Sequence, residues 1–154
     1  GLDYGVRCEI PSSNYRMTEF QGVLGLSQIK HTDDWVTRRN EIANLYRENL
    51  KDIEWLTLPP YYENIKQTWW QYIVKLDKKI DRTDFLKKLM DKGLPTANAY
   101  WPACHQQKVF ESYVSKNGCP ISNSFLENHF SLPMYVELTN NEVNEICEIV
   151  RQNI

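Results

Sequence analysis

The sequence predicts an α+β domain in which one long helix leads into a small sheet packed with helices. Two observations carry that prediction. Between Thr18 and Leu50 apolar residues recur at helical spacing. From residue 69 onward, aromatic and β-branched runs alternate with helix-period segments, the pattern of a layered domain built on one sheet. The chain therefore divides into an extended segment, 1–17, a long bridging helix, 18–50, and a small α+β domain, 51–154.

The helix is expected to start near Thr18. Thr18 and Gln21 have the spacing of a capping box, with the hydroxyl covering one helical amide and the glutamine amide reaching back. Phe20, Val23, Leu24 and Leu26 follow at helical spacing, and Ile42, Leu45, Tyr46 and Leu50 form a second stripe of the same period. A single helix over 18–50 would be roughly 50 Å long, suited to joining two lobes. The stripe thins at His31-Thr32-Asp33, where a bend would fall. "LTLPPYYENI" reads as a loop punctuated by Pro59-Pro60.

"WWQYIVKLD", 69–77, reads as a strand. "DRTDFLKKLMDKG", 81–93, reads as a helix with Phe85, Leu86 and Leu89 inward and Gly93 at its stop. "LPTANAYWP" reads as extended, "NSFLENHF" as helix and "SLPMYV" as a short strand. "NNEVNEICEIV" closes the chain as a helix burying Val143, Ile146, Cys147 and Val150.

Composition narrows the function classes. The hydrophobic share of 42% supports a packed core, and no run approaches the ~20 apolar residues of a membrane span. The start "GLDYGVRCEI" lacks the basic-then-apolar layout of a signal peptide and reads like the middle of a longer chain. A net charge of −2, with both signs mixed along the chain, argues against nucleic acid or a membrane surface as partner. Cys8, Cys104, Cys119 and Cys147 form no C-x-x-C pair, which argues against zinc and predicts ordinary buried thiols in a reducing cytoplasm.

No hydrolase triad, P-loop, G-x-G-x-x-G or H-E-x-x-H is present. His31 and His129 fall in predicted helices and read as structural. His105 lies in "YWPACHQQ", a loop in which Tyr100 and Trp101 either pack the core or line a ligand. "SSNYR", 12–16, stands before the first helix. Its hydroxyls, the Asn14 amide and the Arg16 guanidinium either cap the helix or hold an anion at its positive end.

"NYRMTEFQGVLGLSQI" resembles the N-Y-R-M segment of the DegT/StrS group of nucleotide-sugar aminotransferases, which depend on pyridoxal phosphate. "RRNEIANLYRENLKDIEWLTLP", "TWWQYIVKLD", "RTDFLKKLMDKGLPT" and "FSLPMYVELTNNEVNEICEIV" are similar to successive later motifs of that family. The resemblance covers nearly the whole chain and corresponds to the family's C-terminal part. It implies the small C-terminal domain of the type I aminotransferase fold, within a three-layer α/β family context. The Schiff-base lysine would then lie upstream of Gly1, so this chain holds no catalytic residue and is inactive alone.

For the parent enzyme, the resemblance implies amino transfer from an amino acid, glutamate, to a nucleotide-linked keto-sugar in a cytoplasmic homodimer. Asn14 matches the asparagine that reaches across the dimer to the neighbouring subunit's cofactor phosphate, with Arg16 in support. Tyr15, Trp70, Tyr100, Trp101 and His105 are the implied substrate-facing residues. The sequence departs from the family at Ser12, usually glycine, at Gln67, Trp70 and Ala99, usually histidine, and at His105-Gln106, one residue out of register. A tryptophan at the position of Trp70 occurs in relatives acting on perosamine-type sugars. A non-catalytic interaction or nucleotide-sugar-binding module of the same fold is the alternative.

Overall fold

The computed structural model describes residues 2–3, 7–8, 15–96, 102–114 and 118–153. They fall into two compact units, residues 1–34 and 35–154.

In the first unit, β1 (Leu2–Asp3) pairs antiparallel with β2 (Arg7–Cys8). Helix α1 (Glu19–Ile29) opens on the expected capping box. Thr18 Oγ1 accepts from the Gln21 amide at 3.3 Å, and Gln21 Oε1 accepts from the Thr18 amide at 2.8 Å. α1 buries none of its residues, and Phe20, Val23, Leu24 and Leu26 all stand exposed. The helix ends at a turn over Lys30 and His31, and α2 (Thr32–Leu50) begins immediately after it. The helical stretch to Leu50 is thus two helices rather than one, divided where the apolar stripe thins.

The second unit is built around a three-stranded antiparallel sheet in the order β3 (Leu56–Thr57), β4 (Tyr72–Leu76), β5 (His129–Leu132). Ile42, Ala43, Tyr46 and Leu50 line one side of α2 and enter the core. β4 alternates, burying Tyr72, Val74 and Leu76. Helix α3 (Arg82–Asp91) starts at Asp81, whose carboxylate accepts from the Thr83 and Asp84 amides, and contributes Phe85 and Leu89. It stops at Gly93, where φ is +80° and the Leu94 amide returns to the Leu89 carbonyl at 3.0 Å. After two 3₁₀ segments, Cys104–Gln106 and Lys108–Tyr113, come α4 (Pro120–Asn128), β5 and α5 (Asn140–Gln152). α5 buries Val143, Ile146, Cys147 and Val150, as its periodicity requires.

Several boundaries differ from the sequence reading: the strand expected over 131–136 ends at Leu132, and the helix expected from Asn123 already begins at Pro120. Leu56 and Thr57, expected in a loop, pair with Leu76 and Lys75. The strand expected from residue 69 starts at Tyr72, because Trp69 takes a left-handed backbone conformation, φ +48°. The helix expected to run through residue 130 ends at Asn128, and His129 is the first residue of β5, opposite Lys75. The aromatic rings of His129 and Phe130 suit a helix stripe as well as a strand buried on both faces, and only pairing with β4 decides between them. The extended reading of 94–102 falls largely on residues 97–101, outside the described residues. Cys147 is buried, as expected, whereas Cys104 is exposed and Cys119 half-buried, against the expectation of buried thiols. No described helix is long and apolar enough to cross a membrane.

Candidate cofactor and substrate site

The mouth of α1 carries the first cluster. Its N-cap is Thr18. The box uses the amides of Thr18 and Gln21 and leaves those of Glu19 and Phe20 without an intrahelical partner. Tyr15 and Arg16 stand just outside, Tyr15 90% exposed. The Arg16 guanidinium forms no ion pair with another described residue. Arg16 stands two residues before the N-cap, so a planar cation with five N–H donors and the free amides at the positive end of a helix dipole belong to one short segment, and these are donor types that fit a phosphate. Asn14, with Ser12 and Ser13, lies outside the described residues.

The second cluster is the turn that enters β4. Trp69 is buried, and its indole N–H donates to Asn40 Oδ1 at 3.1 Å. The Asn40 amide donates in turn to the carbonyls of Val36, 2.7 Å, and Gln67, 2.9 Å. The Trp69 ring packs 5.4 Å from that of Tyr72, which lies 5.0 Å from Tyr46. A bulky side chain at positive φ costs of order 1–3 kcal/mol; burial of the indole and its hydrogen bond oppose that cost. The consequence is that the two adjacent tryptophans part. Trp69 enters the core and Trp70 is 61% exposed.

His105 forms the third cluster. It sits half-buried in the Cys104–Gln106 turn, with Nε2 2.7 Å from Asn123 Oδ1 on α4. Gln106 Nε2 donates to the same oxygen at 3.1 Å, and Gln106 Oε1 accepts from the Ala103 amide at 3.1 Å. His105 lines an open groove of about 560 Å³ with Gln107, Lys108, Glu111 and Val114. Tyr100 and Trp101 lie outside the described residues.

The other candidate groups belong to the scaffold. His129 is fully buried, its Nδ1 3.0 Å from the Leu126 carbonyl and its ring stacked on Phe125 at 5.2 Å. It is a strand residue, not the helix residue expected. His31 is exposed in the turn between α1 and α2. Burial raises the phenol pKa values of Tyr46 and Tyr72 and pushes the Cys147 thiol up to about 12; all three are core groups. No described lysine is buried. Among the described residues no three His, Cys, Asp or Glu side chains are arranged to hold a metal.

The match to known proteins extends over all of these elements. Residues 3–151 fit the model of the DegT/DnrJ/EryC1/StrS aminotransferase family. The chain belongs to that family. It is 26% identical over 139 residues to GDP-perosamine synthase of Escherichia coli O157:H7, covering 90% of this chain and 37% of that protein. It is 26% identical over 142 residues to a UDP-N-acetyl-3-dehydro-alpha-D-glucosamine 3-aminotransferase of Acidithiobacillus ferrooxidans, covering 92% and 37%. A solved family aminotransferase from Brucella abortus superposes with a TM-score of 0.78 at 25% identity, over 94% of this chain and 39% of that one. The chain thus spans under two-fifths of the length of these DegT/DnrJ/EryC1/StrS relatives, corresponding to their C-terminal part. Its fold is the small C-terminal domain of the type I aminotransferases.

Sequence reasoning missed Asn40 and Asn123. Each is an asparagine inside a helix, away from the caps where that residue is favoured. Such a placement is the signal that a side-chain partner lies elsewhere in the fold.

Proposed function

We propose that this chain is the C-terminal portion of a pyridoxal-phosphate-dependent aminotransferase. The whole enzyme transfers an amino group from glutamate to a nucleotide-linked keto-sugar, in a cytoplasmic homodimer. The observation that carries the reading is the family match over residues 3–151, together with the sugar aminotransferase names of the relatives.

Pyridoxal phosphate, when bound, supplies the electron sink that lets an amino group leave one substrate and enter another. The residues of this chain bind and orient. Arg16 and Asn14 would hold the cofactor phosphate, Asn14 from the neighbouring subunit, and an Arg16 guanidinium without an ion pair among the described residues supports that role. Tyr15 lies beside them. Trp70, with Tyr100 and Trp101, offers aromatic surface to the sugar nucleotide, and the exposure of Trp70 supports its place among them. His105 offers a hydrogen bond from the edge of its groove. The lysine that bonds the cofactor belongs to the part of the enzyme N-terminal to these residues.

The test uses the natural polypeptide that contains this chain. Loaded with pyridoxal phosphate and ¹⁵N-glutamate, it is offered a panel of GDP-, UDP- and dTDP-linked keto-sugars. Transfer of ¹⁵N to one of them is the expected result. A cofactor-loaded protein that binds the sugar nucleotides and transfers nothing would instead favour the binding module.

A further inference from the structure

The hydrogen bonds around His105 determine where its proton sits. The Ala103 backbone N–H can only donate, so the Gln106 atom 3.1 Å from it is the side-chain oxygen. The other end of that amide is therefore the NH₂ group, and it donates to Asn123 at 3.1 Å. The Asn123 atom that receives it must be Oδ1. The same oxygen lies 2.7 Å from His105 Nε2, so Nε2 carries a hydrogen. In the neutral ring Nδ1 is then a bare acceptor. The orientation of two side-chain amides and one imidazole, each ambiguous alone, follows from one backbone amide.

We infer that Asn123 is a positioning residue that fixes neutral His105 as the Nε2–H tautomer and reserves Nδ1 to accept a hydrogen bond from a substrate hydroxyl or N–H. His105 lines the groove with Lys108 and Glu111, while its Nε2 is held on α4. The site therefore selects a donor at this position and rejects a carbonyl or carboxylate oxygen, which would face an unpaired lone pair. This deepens the substrate-facing role proposed for His105. It also has a readout that needs no substrate.

The experiment is long-range ¹H–¹⁵N spectroscopy of the histidine rings in alkaline buffer, where imidazoles are neutral. His129 is the internal reference of opposite sense, because its Nδ1 faces the Leu126 carbonyl and must donate. The wild-type chain should show His105 as Nε2–H alone. Asn123→Asp retains an acceptor and should keep that tautomer. Gln106→Glu is the deciding variant, at an exposed position that does not support the core. Its carboxylate accepts at both ends, so Asn123 must turn its NH₂ toward residue 106 and His105, and the ring proton must move to Nδ1. Inversion of the His105 pattern with an unchanged His129 pattern is the expected result; an Nε2–H ring in Gln106→Glu would overturn the inference. In the intact enzyme the same variant should raise KM for the sugar nucleotide about tenfold, the effect of one hydrogen bond. An inverted tautomer with unchanged KM would overturn the substrate half alone.

Discussion

The indole N–H of Trp69 meets Oδ1 of Asn40 at 3.1 Å, across 29 residues of chain. That bond joins the turn before β4 to the middle of α2, and Asn40 strengthens it by donating to the Gln67 carbonyl at 2.9 Å. The segment 67–70 is thereby held in the one conformation that buries one tryptophan and exposes the next.

Asn40→Ala should therefore destabilise the chain by about 1–3 kcal/mol, because the buried indole N–H loses its acceptor. Urea unfolding followed by circular dichroism measures this. A midpoint equal to wild type would show that the turn is held by the packing of Trp69 alone.

Thiol reactivity should separate the cysteines. Cys104 is exposed, whereas Cys147 is buried with its thiol pushed up to about 12 by burial. Iodoacetamide at neutral pH, followed by peptide mass spectrometry, should label Cys104 in the folded chain and Cys147 only after denaturation. Equal labelling rates would contradict the packing of α5.

The cap of α5 should lend stability that depends on acid. The Thr139 amide and hydroxyl both donate to Glu142 and hold its carboxyl below the usual glutamate range. A group whose pKa is lowered on folding stabilises above its unfolded value, about 4.3 for glutamate, and that contribution disappears as pH falls through the lowered value. The melting-temperature gap between wild type and Glu142→Gln should be present at pH 7 and close in this acid range. A gap that persists below it would assign the effect to helix propensity.

Helix α1 should make the isolated chain self-associate. Phe20, Val23 and Leu24 share one side of the helix, and each is more than half exposed. Light scattering should show mass rising with concentration, and the double variant Phe20→Glu, Leu24→Glu should remain monomeric. A monomeric wild type at high concentration would count against this.

Asn14→Ala in the intact enzyme should weaken cofactor retention by about 1.5–3 kcal/mol, roughly tenfold to a hundredfold. Mixed dimers locate the contact. With Asn14→Ala and a disabled cofactor lysine on the same subunit, a contact made in trans leaves each site short of one group, and activity is lost. With the changes on separate subunits, one site keeps both groups and about half the activity survives. The reverse pattern would place Asn14 in its own subunit's site.

The amino-acid sequence by itself determined the features that close within one helical turn. Thr18 with Gln21, Asp81 with Thr83 and Asp84, and Thr139 with Glu142 are hydrogen bonds over two or three residues, so spacing alone specifies them. The buried faces of α2 and α5 follow from the helical period in the same way. The family and the candidate residues were legible through motifs along nearly the whole chain, although Asn14, Tyr100 and Trp101 lie outside the described residues. Tertiary structure alone decided what depends on a distant partner. His129 is a strand residue because Lys75 lies opposite it, and Leu56 is one because Leu76 does. Trp69 leaves the strand because its indole N–H meets Asn40 on α2, and the His105 proton is placed by Asn123, 18 residues away. A single amide or imidazole can donate or accept in several ways, and only the neighbours that the fold brings to it select one.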